Sequence, residues 1–244
     1  MTHNRIRYAA GSDVGRSRAK NEDSVHAGER LLAIADGMGG HGHGEVASAA
    51  VIAELARLED GPAPADPVAA LADAVRDAGQ RLGDLAAQDP ALERMGTTVT
   101  AMLWDGHGKF ALAHVGDSRA YMLRDGALYQ ITRDHTLVQS LVDDGRMSAD
   151  QAARHPRRSL LLRALETSGL AEPDLSLREA YPGDRYLLCS DGLSSVLEPE
   201  TLHHVLTTVA DPQEAVRRLI ELANEGGGPD NISCVVADVE AADA

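Results

Sequence analysis

The sequence predicts an α+β fold in which antiparallel β-sheet layers are covered by helices. Two observations point there. Short runs rich in apolar and β-branched residues recur along most of the chain, and some are joined by hairpin turns. Helical periodicity is confined to an early block and a late block, so the helices cover a sheet and do not alternate with its strands.

The predicted strands are Leu31–Ala35, Thr97–Trp104, Phe110–Val115, Ala120–Leu123, Ala127–Ile131, Leu175–Leu177, Tyr186–Cys189 and Ile232–Val239. Asp125 and Gly126 separate two of them as a hairpin signal, and Asp105–Gly108 joins the preceding two. The first predicted helix runs from about Glu45 to Leu58, where Ala47, Val51, Leu55 and Leu58 share one face. A Pro- and Gly-rich loop, 60–67, leads to the second, with Asp66 as N-cap and Pro67 at the first helical position. A late helix follows Asp211, where Pro212 and Glu214 complete a capping pattern. The segment around 133–163 is polar and interrupts the strand series, with short helical patterns near Leu137–Val142 and Ala149–Ala153. It reads as a flap on a single domain spanning 1–244.

Composition removes several function classes. The chain has 244 residues, of which 43% are hydrophobic, enough for a core without cross-links. It contains no apolar run near the roughly 20 residues of a membrane span. The start, MTHNRIR, lacks the apolar stretch of a secretory signal. The net charge of −15 argues against a nucleic-acid surface, which needs a basic stripe. Cys189 and Cys234 are the only cysteines, and both fall inside predicted strands as small buried residues; a reducing cytoplasm is the expected setting.

The acidic residues are informative by position. Asp36, Asp117 and Asp191 each follow the end of an apolar run, and Asp230 precedes one. Neighbouring antiparallel strands bring ends and starts together, so these four acids are expected on one sheet rim. Crowded carboxylates repel one another, and hard divalent ions would relieve that. Oxygen-only ligands without a Cys–His cluster suit Mg²⁺ or Mn²⁺ better than Zn²⁺.

Eight ordered segments then carry a resemblance: SDVG at 12–15, RAKNED at 18–23, DGMGG at 36–40, GE at 44–45, GTT at 96–98, GDSR at 116–119, SDGL at 190–193 and GPDN at 228–231. The chain resembles the metal-dependent serine/threonine protein phosphatases of the PPM, or type 2C, family, and looks most like the bacterial housekeeping members. The resemblance implies a four-layer α/β/β/α sandwich, with two antiparallel sheets flanked by helices. It implies hydrolysis of phosphoserine and phosphothreonine by direct attack of a water bridging two ions, Mn²⁺ or Mg²⁺, with a third ion alongside. Asp36 matches the bridging ligand, Gly37 a backbone-carbonyl ligand, and Asp191 and Asp230 further ligands. Asp117 and Ser159 match contacts to the third ion. Glu22 and Asp23 match groups that hold metal-bound water, Asn231 a support for Asp230, and Arg18 the phosphate grip. Asp36, Asp191 and Arg18 thus form the expected catalytic set.

Some family members carry a histidine two residues after the bridging aspartate, where this chain has Met38. His41 and His43 follow in a Gly-rich turn; His41 is the first candidate general acid in its place, with His43 or a metal-bound water as the alternatives. The implied partners are phosphorylated proteins, including Ser/Thr kinases in signal transduction and their substrates, met by a monomer. Arg16, Arg18 and Lys20, with Arg154, Arg157 and Arg158 of the flap, would steer them. Bacterial relatives often continue into a membrane anchor, so the chain reads as a soluble form or an isolated catalytic domain. A phosphoesterase for small metabolites and an idle phosphoprotein-binding module are the competing readings.

Overall fold

The computed structural model describes residues 4–39, 43–167 and 171–241. In chain order the elements are β1 (Arg5–Asp13), β2 (Asp23–Ala27), β3 (Leu31–Met38), α1 (Gly44–Ala56), α2 (Pro67–Gln88), β4 (Gly96–Thr97), β5 (Val99–Trp104), β6 (Lys109–Val115), β7 (Arg119–Arg124) and β8 (Ala127–Gln130). There follow α3 (Leu137–Asp143), α4 (Ala149–Ala153), β9 (Leu165–Glu166), β10 (Asp174–Glu179), β11 (Arg185–Cys189), α5 (Asp191–Ser194), α6 (Pro199–Thr208), α7 (Pro212–Glu225) and β12 (Ile232–Glu240).

The strands form two sheets. One has five strands in the order β1-β12-β11-β7-β8; the other has seven, β10-β6-β5-β3-β4-β9, with β2 also paired to β3. The strand pairs are antiparallel, as the hairpin signals required. Asp125 and Gly126 both adopt positive φ, 51° and 75°, the turn that matches the twist of the β7–β8 hairpin.

Alternation along the strands creates the layers. Leu31, Ala33 and Ala35 face α1 and α2, whose Val51, Leu55, Leu71, Val75 and Leu82 close one core. Leu32 and Ile34, on the other face of β3, meet Tyr186, Leu188 and Val235 of the five-stranded sheet in a middle core. Leu187, Val236 and Cys234 point outward to Leu202, Val205, Val216 and Leu219 of α6 and α7. Three cores between four layers confirm the α/β/β/α sandwich. The scarce aromatics concentrate in the middle one, where the Phe110 ring lies 4.8 Å from Trp104 and 5.0 Å from Tyr186.

The helix starts follow local chemistry. Asp66 accepts from the backbone N–H groups of Val68 and Ala69, and Asp211 from that of Glu214. The Glu214 carboxylate turns to Arg217, so only half of the expected capping box forms.

The structure adds elements that periodicity did not reveal. β1 lies on the sheet edge beside β12, with Arg5 and Arg7 among its outward residues, and only Ile6 and Ala10 reach the middle core. β2 contributes just Val25 and Ala27. Both strands are too mixed in polarity to read as apolar runs. The predicted strand 97–104 breaks at Thr98, because its N–H bonds to the Asp36 carbonyl while Gly96 and Thr97 pair with Met38 and Gly37. No described helix is long and apolar enough to cross a membrane.

Candidate metal centre

One end of the sandwich collects the acids, but not on a single rim. Asp191 and Asp230 belong to the five-stranded sheet, where the end of β11 lies beside the start of β12. Asp36 lies within β3 of the seven-stranded sheet, and Asp117 lies in the loop that links β6 of that sheet to β7 of the other. The expectation of one shared rim is therefore corrected: the acids come from both stacked sheets and from a loop that links them. Asp23 begins β2 opposite Asp36 and accepts a hydrogen bond from Ser190 across the sheets at 2.8 Å.

Glycines allow the approach. A Cβ on Gly37 would lie 2.2 Å from the Gly44 carbonyl oxygen, and one on Gly192 would lie 1.9 Å from that of Asn231. Only glycine fits at either place. Asn231 is buried and uses its whole amide. Its Oδ1 accepts from the Glu22 N–H at 2.8 Å, and its Nδ2 donates to the carbonyls of Val14 and Lys20 at 3.0 and 2.8 Å. Its backbone N–H donates to Asp230 Oδ1 at 2.8 Å. Asn231 thus ties the 14–22 loop to Asp230. Glu22 contributes backbone contacts here, its carbonyl accepting from Gly37 N–H and the Ser48 hydroxyl.

The electrostatics are those of acids crowded out of water. Burial, then the charges of Asp23, Asp191, Asp117 and Asp230, hold the Asp36 carboxyl well above its ordinary value. Burial and the Asp191 charge push Asp117 up to about 8. Burial raises Asp23 to about 6, and burial with the Asp230 charge raises Asp191. One Asp23 oxygen, Oδ1, is buried without a partner. Among the described residues, no three His, Cys, Asp or Glu side chains converge on one point. Hard divalent ions that keep several waters take few protein ligands each. An orphaned carboxylate oxygen, suppressed ionisation and an all-oxygen donor set together fit divalent cations.

The remaining expected residues are placed unevenly. Arg18 is near the acids, but its guanidinium donates to Asp230 Oδ2 at 2.7 Å. Ser159 lies in an exposed turn after α4, and no hydrogen bond joins it to Asp117 among the described residues. His41 lies outside the described residues.

Other residues at the site had no role assigned from sequence. Thr98 Oγ1 accepts from the Asp36 N–H at 3.0 Å and pairs with the Ser118 hydroxyl at 2.7 Å, linking the Asp36 strand to the Asp117 loop. Arg119 forms a bidentate pair with Asp134, at 3.0 Å from Nε and 2.7 Å from Nη2. Thr98, Ser118 and Arg119 lay within the recognised motifs; the signal was present without a chemistry to read from it.

This fold, with acids from both sheets gathered at one end, defines a class of protein, and comparison with known proteins agrees. The protein phosphatase 2C pattern matches residues 10–225, and the chain belongs to that family. It is 55% identical over 234 residues to the serine/threonine protein phosphatase PstP of Mycobacterium tuberculosis. That match takes in 96% of this chain but only 45% of that protein, so the chain spans about half its length. It is 33% identical to the serine/threonine phosphatase stp of Listeria monocytogenes, across 93% of both chains. The crystal structure of the PstP catalytic domain in complex with two manganese ions superposes with a TM-score of 0.91 at 53% identity, covering 97% of this chain and 99% of that one.

Proposed function

We propose that this chain is a metal-dependent serine/threonine protein phosphatase domain that hydrolyses phosphoserine and phosphothreonine monoesters. The observation that carries the reading is the crowding of Asp36 and Asp191, distant in sequence, beside the charge of Asp230, with the ionisation of Asp36 and Asp191 suppressed and one Asp23 oxygen left unpaired. The manganese bound by the PstP catalytic domain supports the choice of ion.

Asp36, Asp191, Asp230 and the Gly37 carbonyl would hold two ions, Mn²⁺ or Mg²⁺. When bound, these ions would acidify a water and neutralise charge developing on the phosphoryl oxygens. Asp23 Oδ1 is free to accept from a water held at that place, with Glu22 beside it. Asn231 keeps Asp230 oriented. The Arg18 guanidinium, once it leaves Asp230, offers two coplanar donors to two phosphate oxygens. Asp117 would hold a third ion, and Ser159 would join it after the flap moves inward. His41 would protonate the leaving alkoxide.

We read the chain as one catalytic domain with 133–163 as its flap. Its partners on this reading are phosphorylated proteins, including Ser/Thr kinases and their substrates. The exposed Arg154, Arg157 and Arg158 support recruitment of such anionic chains. The free, buried Cys189 and Cys234 support a reducing, cytoplasmic setting.

The test is hydrolysis of phosphoserine and phosphothreonine peptides, sugar phosphates and nucleotides, each with Mn²⁺ and with EDTA. Mn²⁺-dependent release of phosphate from the peptides is expected. A preference for the small molecules, or full activity in EDTA, would overturn the reading.

A further inference from the structure

The base of the 133–163 segment is bonded to the loop that carries Asp117 from both sides. On one side, His135 pairs twice with Gly116, the residue before Asp117. Its backbone N–H donates to the Gly116 carbonyl at 2.8 Å, and its Nδ1 accepts from the Gly116 N–H at 3.1 Å. On the other side, Asp134 holds Arg119, two residues after Asp117. Gly116 has little freedom to adjust: its φ is +110°, and a Cβ there would lie 2.5 Å from Thr98 Cγ2.

The far end of the segment returns to the same residue. The Leu162 N–H donates to the His135 carbonyl at 2.7 Å, and the Leu137 N–H to the Leu160 carbonyl at 2.9 Å. Because His135 Nδ1 accepts a backbone hydrogen, the ring proton sits on Nε2, which donates to Asp174 Oδ2 at 3.1 Å. The other Asp174 oxygen, Oδ1, accepts from Arg163 Nη1 at 2.8 Å. One carboxylate at the start of β10 therefore joins the entry and the exit of the segment, one oxygen to each. Burial lowers the His135 pKa and keeps the ring neutral, in agreement with this tautomer.

We propose that Asp174 is a positioning residue: it latches both ends of the 133–163 segment through His135 and Arg163, and so fixes the Gly116 backbone that aims Asp117. Lifting the segment opens the latch and removes the ring acceptor from the Gly116 N–H. Access to the site and the set of Asp117 are then one equilibrium. The consequence for catalysis rests on the reading of Asp117 as an ion ligand; the mechanical link does not.

Asp174→Asn separates these. An amide has one acceptor atom, so either His135 or Arg163 meets an NH₂ group wherever the amide turns. Hydrogen exchange on the full chain with Mn²⁺ should show the peptides over 114–118 and 159–163 exchanging faster together, each by about two- to fivefold. Arg163→Ala should do the same and Arg163→Lys should restore protection. The Mn²⁺ concentration for half-maximal phosphopeptide hydrolysis should rise by a similar factor. Faster exchange confined to 159–163, with 114–118 unchanged, would overturn the proposal. Joint loss of protection with unchanged Mn²⁺ dependence would uphold the latch and count against Asp117 as an ion ligand.

Discussion

Arg18 and Asp230 are 2.7 Å apart, so the side chain expected to grip phosphate is held by an expected ion ligand. Their side chains are 49% and 32% exposed, and a pair this wet adds little to stability. Its weight lies in competition on the proposed reading, because a cation at Asp230 would displace the partner that holds the guanidinium.

Arg18→Ala should therefore have opposite effects on substrate and ion. Losing a charge-assisted contact to phosphate should lower kcat/KM for a phosphopeptide by about 10- to 100-fold. Mn²⁺ affinity in titration calorimetry should stay level or rise, since Asp230 loses a rival. Weaker Mn²⁺ binding would show that Arg18 does not compete for that carboxylate.

Asp36→Asn and Asp191→Asn remove a charge from a set that repels itself. In EDTA both variants should melt at or above the wild-type temperature. With Mn²⁺ at about 100 times its dissociation constant, the wild type should gain about 2.7 kcal/mol. The variants should gain far less, and phosphopeptide turnover should fall to background. Normal turnover with a full Mn²⁺ shift would remove the substituted residue from the ion-binding set.

The raised carboxyls also predict a pH slope. Burial and the Asp191 charge push Asp117 up to about 8 in the folded protein, from an ordinary value of 3.8. Asp36 is shifted in the same direction. Above about 6.5 the folded, metal-free protein keeps protons that the unfolded chain has released, so its stability should fall as pH rises toward 8. His114 has the opposite sign: burial pushes it from 6.5 to about 4, so it weakens the fold only below 6.5. Urea unfolding in EDTA at about pH 7 and 8 reads mainly the carboxyls. A flat profile would mean that they are already ionised. Mn²⁺ uptake in the same window should release protons, measurable by calorimetry in buffers of different ionisation heat.

Asn231→Asp keeps shape and changes one group. A carboxylate oxygen would face the Val14 and Lys20 carbonyls where Nδ2 now donates. The repulsion and the lost bonds should cost about 2 kcal/mol or more in denaturant unfolding. Activity should fall as Asp230 loses its support. Unchanged stability would mean that the 14–22 loop is held by other contacts.

Much of this protein was readable in one dimension. The alternation in Leu31–Ala35 and Tyr186–Cys189, the caps at Asp66 and Asp211 and the turn at Asp125–Gly126 are local properties of backbone and side chain. The ordered motifs around Asp36, Asp117, Asp191 and Asp230 pointed to the site for the same reason, since each lies at or near the end of a strand. What lay beyond reach depended on partners distant in the chain. β1 and β2 become strands because β12 and β3 offer free edges, not because of their own apolar pattern. Whether the acids meet on one sheet or between two is set by how the sheets stack. The pairing of Arg18 with Asp230 spans 212 positions, and the double hold of Asp174 on His135 and Arg163 appears only once β10 docks on β6. Local pattern encodes which elements form; contacts between them, which decide charge and reach at the site, exist only after the layers close.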